Sequence, residues 1–239
     1  MTYQIAVISH ARAKAVTKIQ QYAPEAIWYV GYGEKTDYEA AGAHKVIESG
    51  NLIDSRNAAL NDAHALGLAS VQISDDLNGL EILQDDQLHP ITLTETITIL
   101  SNVADSWGVK LAGVAPVANK FYLSETNPIK QHHFIIGDLI FVKPSEPRFD
   151  PNLRLKEDYD FTAQHITTYG AVARLDTICA KFAHRTNAGG AVEYRNTELE
   201  QQAITYLKSK WGNTVIVDNP RRPNEILFKG KQLLRDFHK

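Results

Sequence analysis

Apolar residues along this chain fall into short β-branched runs that alternate with stretches of helical spacing. Gln4 to Ser9 reads as a buried strand, Lys14 to Tyr22 as a helix, and Ala26 to Val30 as a second strand running into the loop Gly31-Tyr32-Gly33-Glu34. Asp37 to Ala41 is weakly helical and Lys45 to Ile47 is a short strand. From Arg56 to Leu66, Ala58, Ala59, Ala63 and Leu66 mark an amphipathic helix, followed by the run Val71-Gln-Ile73 that ends at Ser74-Asp75-Asp76. After Pro90, Leu93, Ile97, Leu100, Val103 and Trp107 have helical spacing, and Gly108 ends that helix. Val114 to Val142 is loop and strand, closing on the buried strand Leu139 to Val142. A short helix over Phe161 to Tyr169, a strand over Ala171 to Leu175 and a helix from N-cap Thr197, with Glu200 at its capping-box position, to Trp211 complete the pattern. Such alternation predicts an α/β nucleotide-binding fold with ligand groups at strand ends and helix starts.

Length and composition narrow this reading. The 239 residues suit one α/β domain over 1–239, and no repeat, linker or low-complexity tract divides them. The lone Cys179 excludes an internal disulfide framework and points to a reducing compartment. The N-terminus lacks the basic and apolar regions of a secretory signal, and no window approaches about eighteen apolar residues. The expectation is therefore a cytoplasmic protein with no membrane partner.

Charge is distributed unevenly around a net of −3. From Val71 to Leu100 there are six carboxylates and no Lys or Arg, and two of them, Asp75 and Asp76, sit where a buried strand surfaces. Open α/β sheets bind ligands at such strand ends, and one or two carboxylates there can hold a hard divalent cation whose shell is completed by phosphate and water. A solvated acidic turn is the competing reading. From Lys208 to Lys239 there are eight basic residues against Asp218, Glu225 and Asp236, a tail that can meet phosphate or remain solvated surface. A second acidic cluster, Glu157-Asp158-Tyr159-Asp160, precedes a predicted helix. Its acids either favour that helix N-terminus or take a proton from an acceptor hydroxyl. Gly189-Gly190 allows close approach of backbone to a sugar or phosphate, although glycine pairs are mostly turns.

Five segments, taken in order, resemble one family. Tyr29-Val-Gly-Tyr-Gly-Glu34, Asp54-Ser-Arg-Asn-Ala-Ala-Leu60, Val71-Gln-Ile-Ser-Asp-Asp-Leu77, Lys156-Glu-Asp-Tyr-Asp-Phe161 with Gln164-His165 and Tyr169-Gly170, and Asn187-Ala-Gly-Gly190 look like those of the TET-associated glycosyltransferases. These are found largely in bacteriophages and are related to the enzyme that makes base J. The resemblance runs from about residue 5 to residue 228.

It implies a GT-A type glycosyltransferase fold, one domain with a central mixed sheet flanked by helices. It also implies transfer of a sugar from a UDP-sugar to hydroxymethylated pyrimidine in DNA, here 5-hydroxymethylcytosine, with manganese or magnesium as cofactor. Asp76 then corresponds to the metal ligand and Asp75 to a donor contact, with Ser74 where the family commonly has a leading acid. Arg12, Arg56 and Asn57 face the nucleotide, and Gly31, Gly33 and Glu34 with Tyr38 flank the uracil, while Gly189 and Gly190 approach the donor. Asp158 corresponds to the base of an inverting enzyme, with Glu157 beside it. His184 and His238 are candidate additional metal ligands, and Arg221, Arg222, Lys229 and Lys231 candidates for DNA. Tyr122, Phe121 and the pair His132-His133 are candidates for stacking on an acceptor base. The rival readings are a GT-A glycosyltransferase with a non-DNA acceptor and a glycosyltransferase-like binding module without turnover; a sugar-nucleotide pyrophosphorylase is disfavoured, since the first strand is followed by Ser9-His-Ala-Arg12 and not by a glycine-rich phosphate loop.

Overall fold

The computed structural model describes residues 2–182 and 196–237. Strand β1 (Tyr3–Ile8) leads through a 3-10 turn (Ala13–Ala15) and the one-turn helix α1 (Val16–Ile19) to β2 (Ile27–Val30), α2 (Lys35–Ala40) and β3 (Lys45–Glu48). Helix α3 (Leu52–Ala65) then returns the chain to β4 (Ala69–Ser74). A hairpin of β5 (Leu77–Gln84) and β6 (Gln87–Pro90) follows, then α4 (Leu93–Ser106), β7 (Leu111–Ala115), β8 (Ile129–Lys130) and β9 (Leu139–Val142). Next come α5 (Glu157–Tyr169), β10 (Ala173–Phe182), α6 (Thr197–Trp211), the pair β11 (Ile216–Asp218) and β12 (Ile226–Phe228), and α7 (Gly230–Phe237).

One ten-stranded mixed sheet runs in the order β3-β2-β1-β4-β9-β7-β10-β5-β6, with β8 paired to β10. Strands β3, β2, β1 and β4 are parallel, and β9 is antiparallel to both β4 and β7. Side chains alternate between the two faces, as the twofold strand period requires. Val7 and Phe141 join the apolar layer of α1, α2 and α4, built on Trp28, Ile97 and Leu100. On the opposite face Ile140 and Val142 pack with α3, α5, α6 and α7 around Phe149, Phe161 and Trp211. Because helices cover both faces, β4 is buried almost throughout, and its polar members need internal partners. Gln72 Nε2 donates to the Arg56 carbonyl at 2.8 Å, and Ser70 Oγ to the Ala59 carbonyl at 3.3 Å.

Several boundaries differ from the sequence reading. The expected helix over 14–22 is a 3-10 turn followed by one α-helical turn. Helix α3 starts at Leu52, where Asn51 caps it by accepting from the Ile53 and Asp54 amides, so Arg56 and Asn57 lie in the second turn. Helix α5 starts at Glu157, which puts Glu157, Asp158 and Asp160 inside its first turn. The cap of α6 is Asn196, which accepts from the Leu199 amide at 2.9 Å, and not Thr197. Among the described residues no helix is long and apolar enough to cross a membrane.

Candidate functional site

From β1 the chain moves outward to β2 and β3, then returns to lay β4 on the other side of β1. The loops after β1 and β4 therefore diverge, the arrangement in which open α/β sheets bind ligands. Ile8 is in register with Ser74, so Ser9 and Asp75 leave the sheet side by side. Ser9 Oγ donates to Asp75 Oδ2 at 2.5 Å, and Arg12 Nη1 donates to Asp75 Oδ1 at 2.8 Å. With the Ser9 proton directed to Asp75, the Tyr38 hydroxyl donates to Ser9 at 2.5 Å and accepts from the Arg12 amide at 3.0 Å. Burial raises the Asp75 pKa above its ordinary value, and Ser9 and Arg12 oppose the rise. Both Asp75 oxygens are thus engaged by the protein. The sequence reading makes Asp75 a direct donor contact; the structure makes it the anchor of the loop from Ser9 to Arg12.

The loop after β2 is tied to the same place. Glu34 Oε1 meets His10 Nδ1 at 2.5 Å, and Glu34 Oε2 accepts from the Ala11 amide at 3.0 Å. A Cβ at position 31 would lie 2.5 Å from Glu34 Oε1 and 2.9 Å from His10 Nδ1, so any other residue there would displace these two side-chain ends. Gly33, at φ +82°, directs its amide to Glu48 Oε1 at 2.8 Å, and Lys35 N donates to the same oxygen at 3.1 Å. Tyr38 is 1% exposed and cannot face a base, whereas Tyr32 on the loop is 76% exposed. The expected uracil neighbour is therefore a core residue, and the accessible ring on this loop belongs to Tyr32.

On the other side of β4, the Ser74 amide donates to the Asp138 carbonyl at 2.9 Å as β9 begins. The adjoining Gly137 amide donates to Asp158 Oδ2 at 3.1 Å, bringing the first turn of α5 to the same edge of the sheet. Asp158 Oδ1 accepts from the Tyr159 amide at 3.0 Å. Desolvation, then the charge of Glu157, pushes the Asp158 pKa up to about 7, against the Gly137 hydrogen bond and Arg56. Ser9, Gly137 and Asp138 were not singled out from the sequence. Gly-Asp directly before the apolar run Leu139 to Val142 is the signal that marks the last two, since it is another strand edge bearing an acid.

Arg56 is enclosed, at 7% exposure. Its Nε lies 3.2 Å from Glu157 Oε1, its Nη1 donates to Gln72 Oε1 at 3.2 Å and to the Gly137 carbonyl at 3.0 Å, and Phe149 stacks 5.1 Å from the guanidinium. The expectation of a bidentate clamp on donor phosphate gives way to a buried brace between α3, the start of β9 and α5. Asn57 is likewise engaged, exchanging hydrogen bonds of 2.9 and 2.8 Å with the Phe149 backbone. Glu157 partners Arg56 and does not stand free beside Asp158.

Asp76 is 5% exposed, so the strand-end acid is buried where the sequence reading has it exposed. Among the described residues no cluster of three or more His, Cys, Asp or Glu is arranged to hold a metal ion. A single carboxylate at a ligand-binding strand edge still fits a hard cation completed by substrate oxygens. Gly189, Gly190, His184 and His238 lie outside the described residues. Arg221, Arg222, Lys229 and Lys231 are all exposed, and Arg222 faces Glu225 at 3.4 Å. Phe121 and Tyr122 are exposed on the turn after β7, where Lys120 pairs with Asp86 of the β5–β6 hairpin at 2.9 Å.

No family model matches this chain, and no curated protein matches it. Among solved structures it is similar to a CMP:2-keto-3-deoxy-manno-octonic acid synthetase complexed with CTP, at 9% identity over 73% of this chain and 88% of that one, with a TM-score of 0.42. It is also similar to mannose-1-phosphate geranyltransferase from Thermus thermophilus, at 10% identity over 75% of this chain and 56% of that one, with a TM-score of 0.34.

Proposed function

We propose that this chain is a metal-dependent inverting glycosyltransferase of the TET-associated kind, moving glucose or arabinose from a UDP-sugar to 5-hydroxymethylcytosine in phage DNA. One observation carries the reading. A carboxylate whose pKa is raised to about 7, Asp158, is bonded to Gly137 at the same sheet edge as the strand-end pair Asp75-Asp76. Near neutral pH such a group is available both to accept and to release a proton, which an ordinary exposed carboxylate is not.

In this reading the acceptor hydroxyl oxygen attacks the anomeric carbon and inverts it. The bond from that carbon to the diphosphate breaks, UDP leaves with the electron pair, and the hydroxyl proton passes to Asp158. The loops after β1 and β2, braced by Asp75, Glu34 and Glu48, form the nucleotide side of the crevice. Asp76 is the residue that would hold manganese or magnesium, which when bound supplies positive charge against the UDP diphosphate. Arg56 acts at a distance from substrate by holding Glu157 and Gly137, and so keeps Asp158 in place.

The test is mass spectrometry of hydroxymethylated duplex after incubation with UDP-glucose, UDP-arabinose and manganese. A mass gain of one hexose or pentose per modified base supports the reading. Hydrolysis of the donor with no sugar on the DNA would move the acceptor to another class, and absence of both donor binding and turnover would leave a module without catalysis.

A further inference from the structure

We infer that Lys130, His132, His133 and Lys231 form one strip that binds the phosphate backbone of the nucleic acid, leading it to Asp158. The inference rests on the DNA reading above and adds the surface that takes the duplex. Its basis is a juxtaposition of two segments about a hundred residues apart. Strand β8 pairs with β10, placing Lys130 opposite Arg174, and the next residues are held by the Val172 amide donating to the Gln131 carbonyl at 2.9 Å. Against them packs the start of α7. A Cβ on Gly230 would lie 2.2 Å from the His132 carbonyl oxygen, so the tail presses onto this segment at a point that admits no side chain. Lys231, the next residue, is exposed, as is His133.

Lys130 and Lys231 both act on His133. Burial holds both imidazoles below their ordinary pKa; at His133 Arg174, Lys130 and Lys231 lower it further while Asp176 partly compensates, and at His132 a hydrogen bond with the Gly170 backbone opposes the shift and Lys231 adds to it. Arg174 is neutralised by Asp176, to which its Nε and Nη2 donate at 2.7 and 3.0 Å. Lys130 and Lys231 make no ion pair with any described residue; Lys231 is exposed and Lys130 half-buried. On a chain of net charge −3 this is a local reversal of sign, and lysine ammonium and imidazole N–H groups are phosphate donors.

The strip also points somewhere. Phe134, which follows His133, stacks on Tyr159 with ring centroids 3.9 Å apart, and Phe228, two residues before Gly230, meets the edge of Tyr159 at 6.4 Å. Tyr159 adjoins Asp158 in the first turn of α5, whereas His132 is held by the backbone of Gly170 at the other end of that helix, so the strip lies along α5 and its neighbours Phe134 and Phe228 reach the proposed base. Arg221 and Arg222 sit instead on the β11–β12 connection, with Arg222 facing Glu225.

Fluorescence anisotropy with an unmodified duplex tests the inference over a salt series from about 50 to about 200 mM. The double variant Lys130→Glu/Lys231→Glu should bind roughly tenfold more weakly at about 100 mM salt and lose about two from the salt slope, one per phosphate contact. Lys130→Gln/Lys231→Gln should show a smaller loss in the same direction, with UDP binding retained as the check on folding. Unchanged duplex affinity in both variants overturns the strip, as does a loss confined to Arg221→Glu/Arg222→Glu. Binding to unmodified duplex needs neither donor nor hydroxymethyl group. Failure of sugar transfer would therefore overturn the proposed reaction while leaving this measurement standing.

Discussion

The Gly137 amide donates to Asp158 Oδ2 at 3.1 Å, joining the start of β9 to the first turn of α5 across 21 residues of chain. A Cβ on Gly137 would lie 2.7 Å from Arg56 Nη2 and 3.4 Å from the Asp158 Cβ, so the absence of a side chain lets Arg56, Gly137 and Asp158 meet. The environment this creates has consequences for stability as well as chemistry.

Asp158→Asn should abolish transfer, by roughly a hundredfold to ten-thousandfold, while UDP and duplex affinities are retained. In the wild type, activity should rise as Asp158 deprotonates, with a limb near pH 7. The stability effect runs the other way. A carboxyl whose folded pKa lies above its unfolded value destabilises the fold as pH rises from the unfolded pKa through the folded one. The difference in melting temperature between the Asn variant and wild type should therefore shift in the variant's favour from pH 5 to pH 8. Thermal denaturation at the two pH values reads this, and an equal margin at both removes the raised pKa.

Arg56→Ala should destabilise the fold by about 3–5 kcal/mol, because Glu157 and the Gly137 carbonyl lose their partner while still buried. Chemical denaturation measures it. A variant as stable as wild type, with only its donor affinity reduced, would return Arg56 to the phosphate.

Asp76→Asn should remove manganese-dependent UDP binding in calorimetry and leave the melting temperature within a few degrees of wild type. Metal-dependent affinity equal to that of wild type would take Asp76 out of the cation site.

His165 is fully buried on α5, its Nδ1 against the Phe161 carbonyl at 2.9 Å and its Nε2 against Ser145 Oγ at 3.3 Å. Burial lowers its pKa to about 4. The unfolded chain takes up the proton first, so stability falls as pH drops from about 6.5 towards 4, by about 3 kcal/mol over that window. His165→Gln should flatten this acid limb in denaturation curves between pH 7 and pH 4, and an unchanged slope would assign the limb to other groups.

The alternation of strands and helices, the buried run ending at Asp75-Asp76 and the acids at the head of α5 were legible in the sequence. Each rests on local physics, the period of apolar residues and the chemistry of helix starts and strand ends. The β5–β6 hairpin was not legible, because its turn holds Asp85 and Asp86 at φ 52° and 56°, a left-handed pair usually marked by glycine or asparagine. Nor could residue type tell which polar groups remain available to substrate. Arg56, Asn57 and Asp75 are chemically suited to a nucleotide, yet Glu157, Phe149 and Arg12 engage them. That outcome follows from strand order. With β9 inserted beside β4, Gly137 and Asp138 come against Ser74, and residues over sixty positions away in the chain settle the partners and proton affinity of the site. Local pattern determines where an acid surfaces. The long-range packing that desolvates or pairs it decides what it can do.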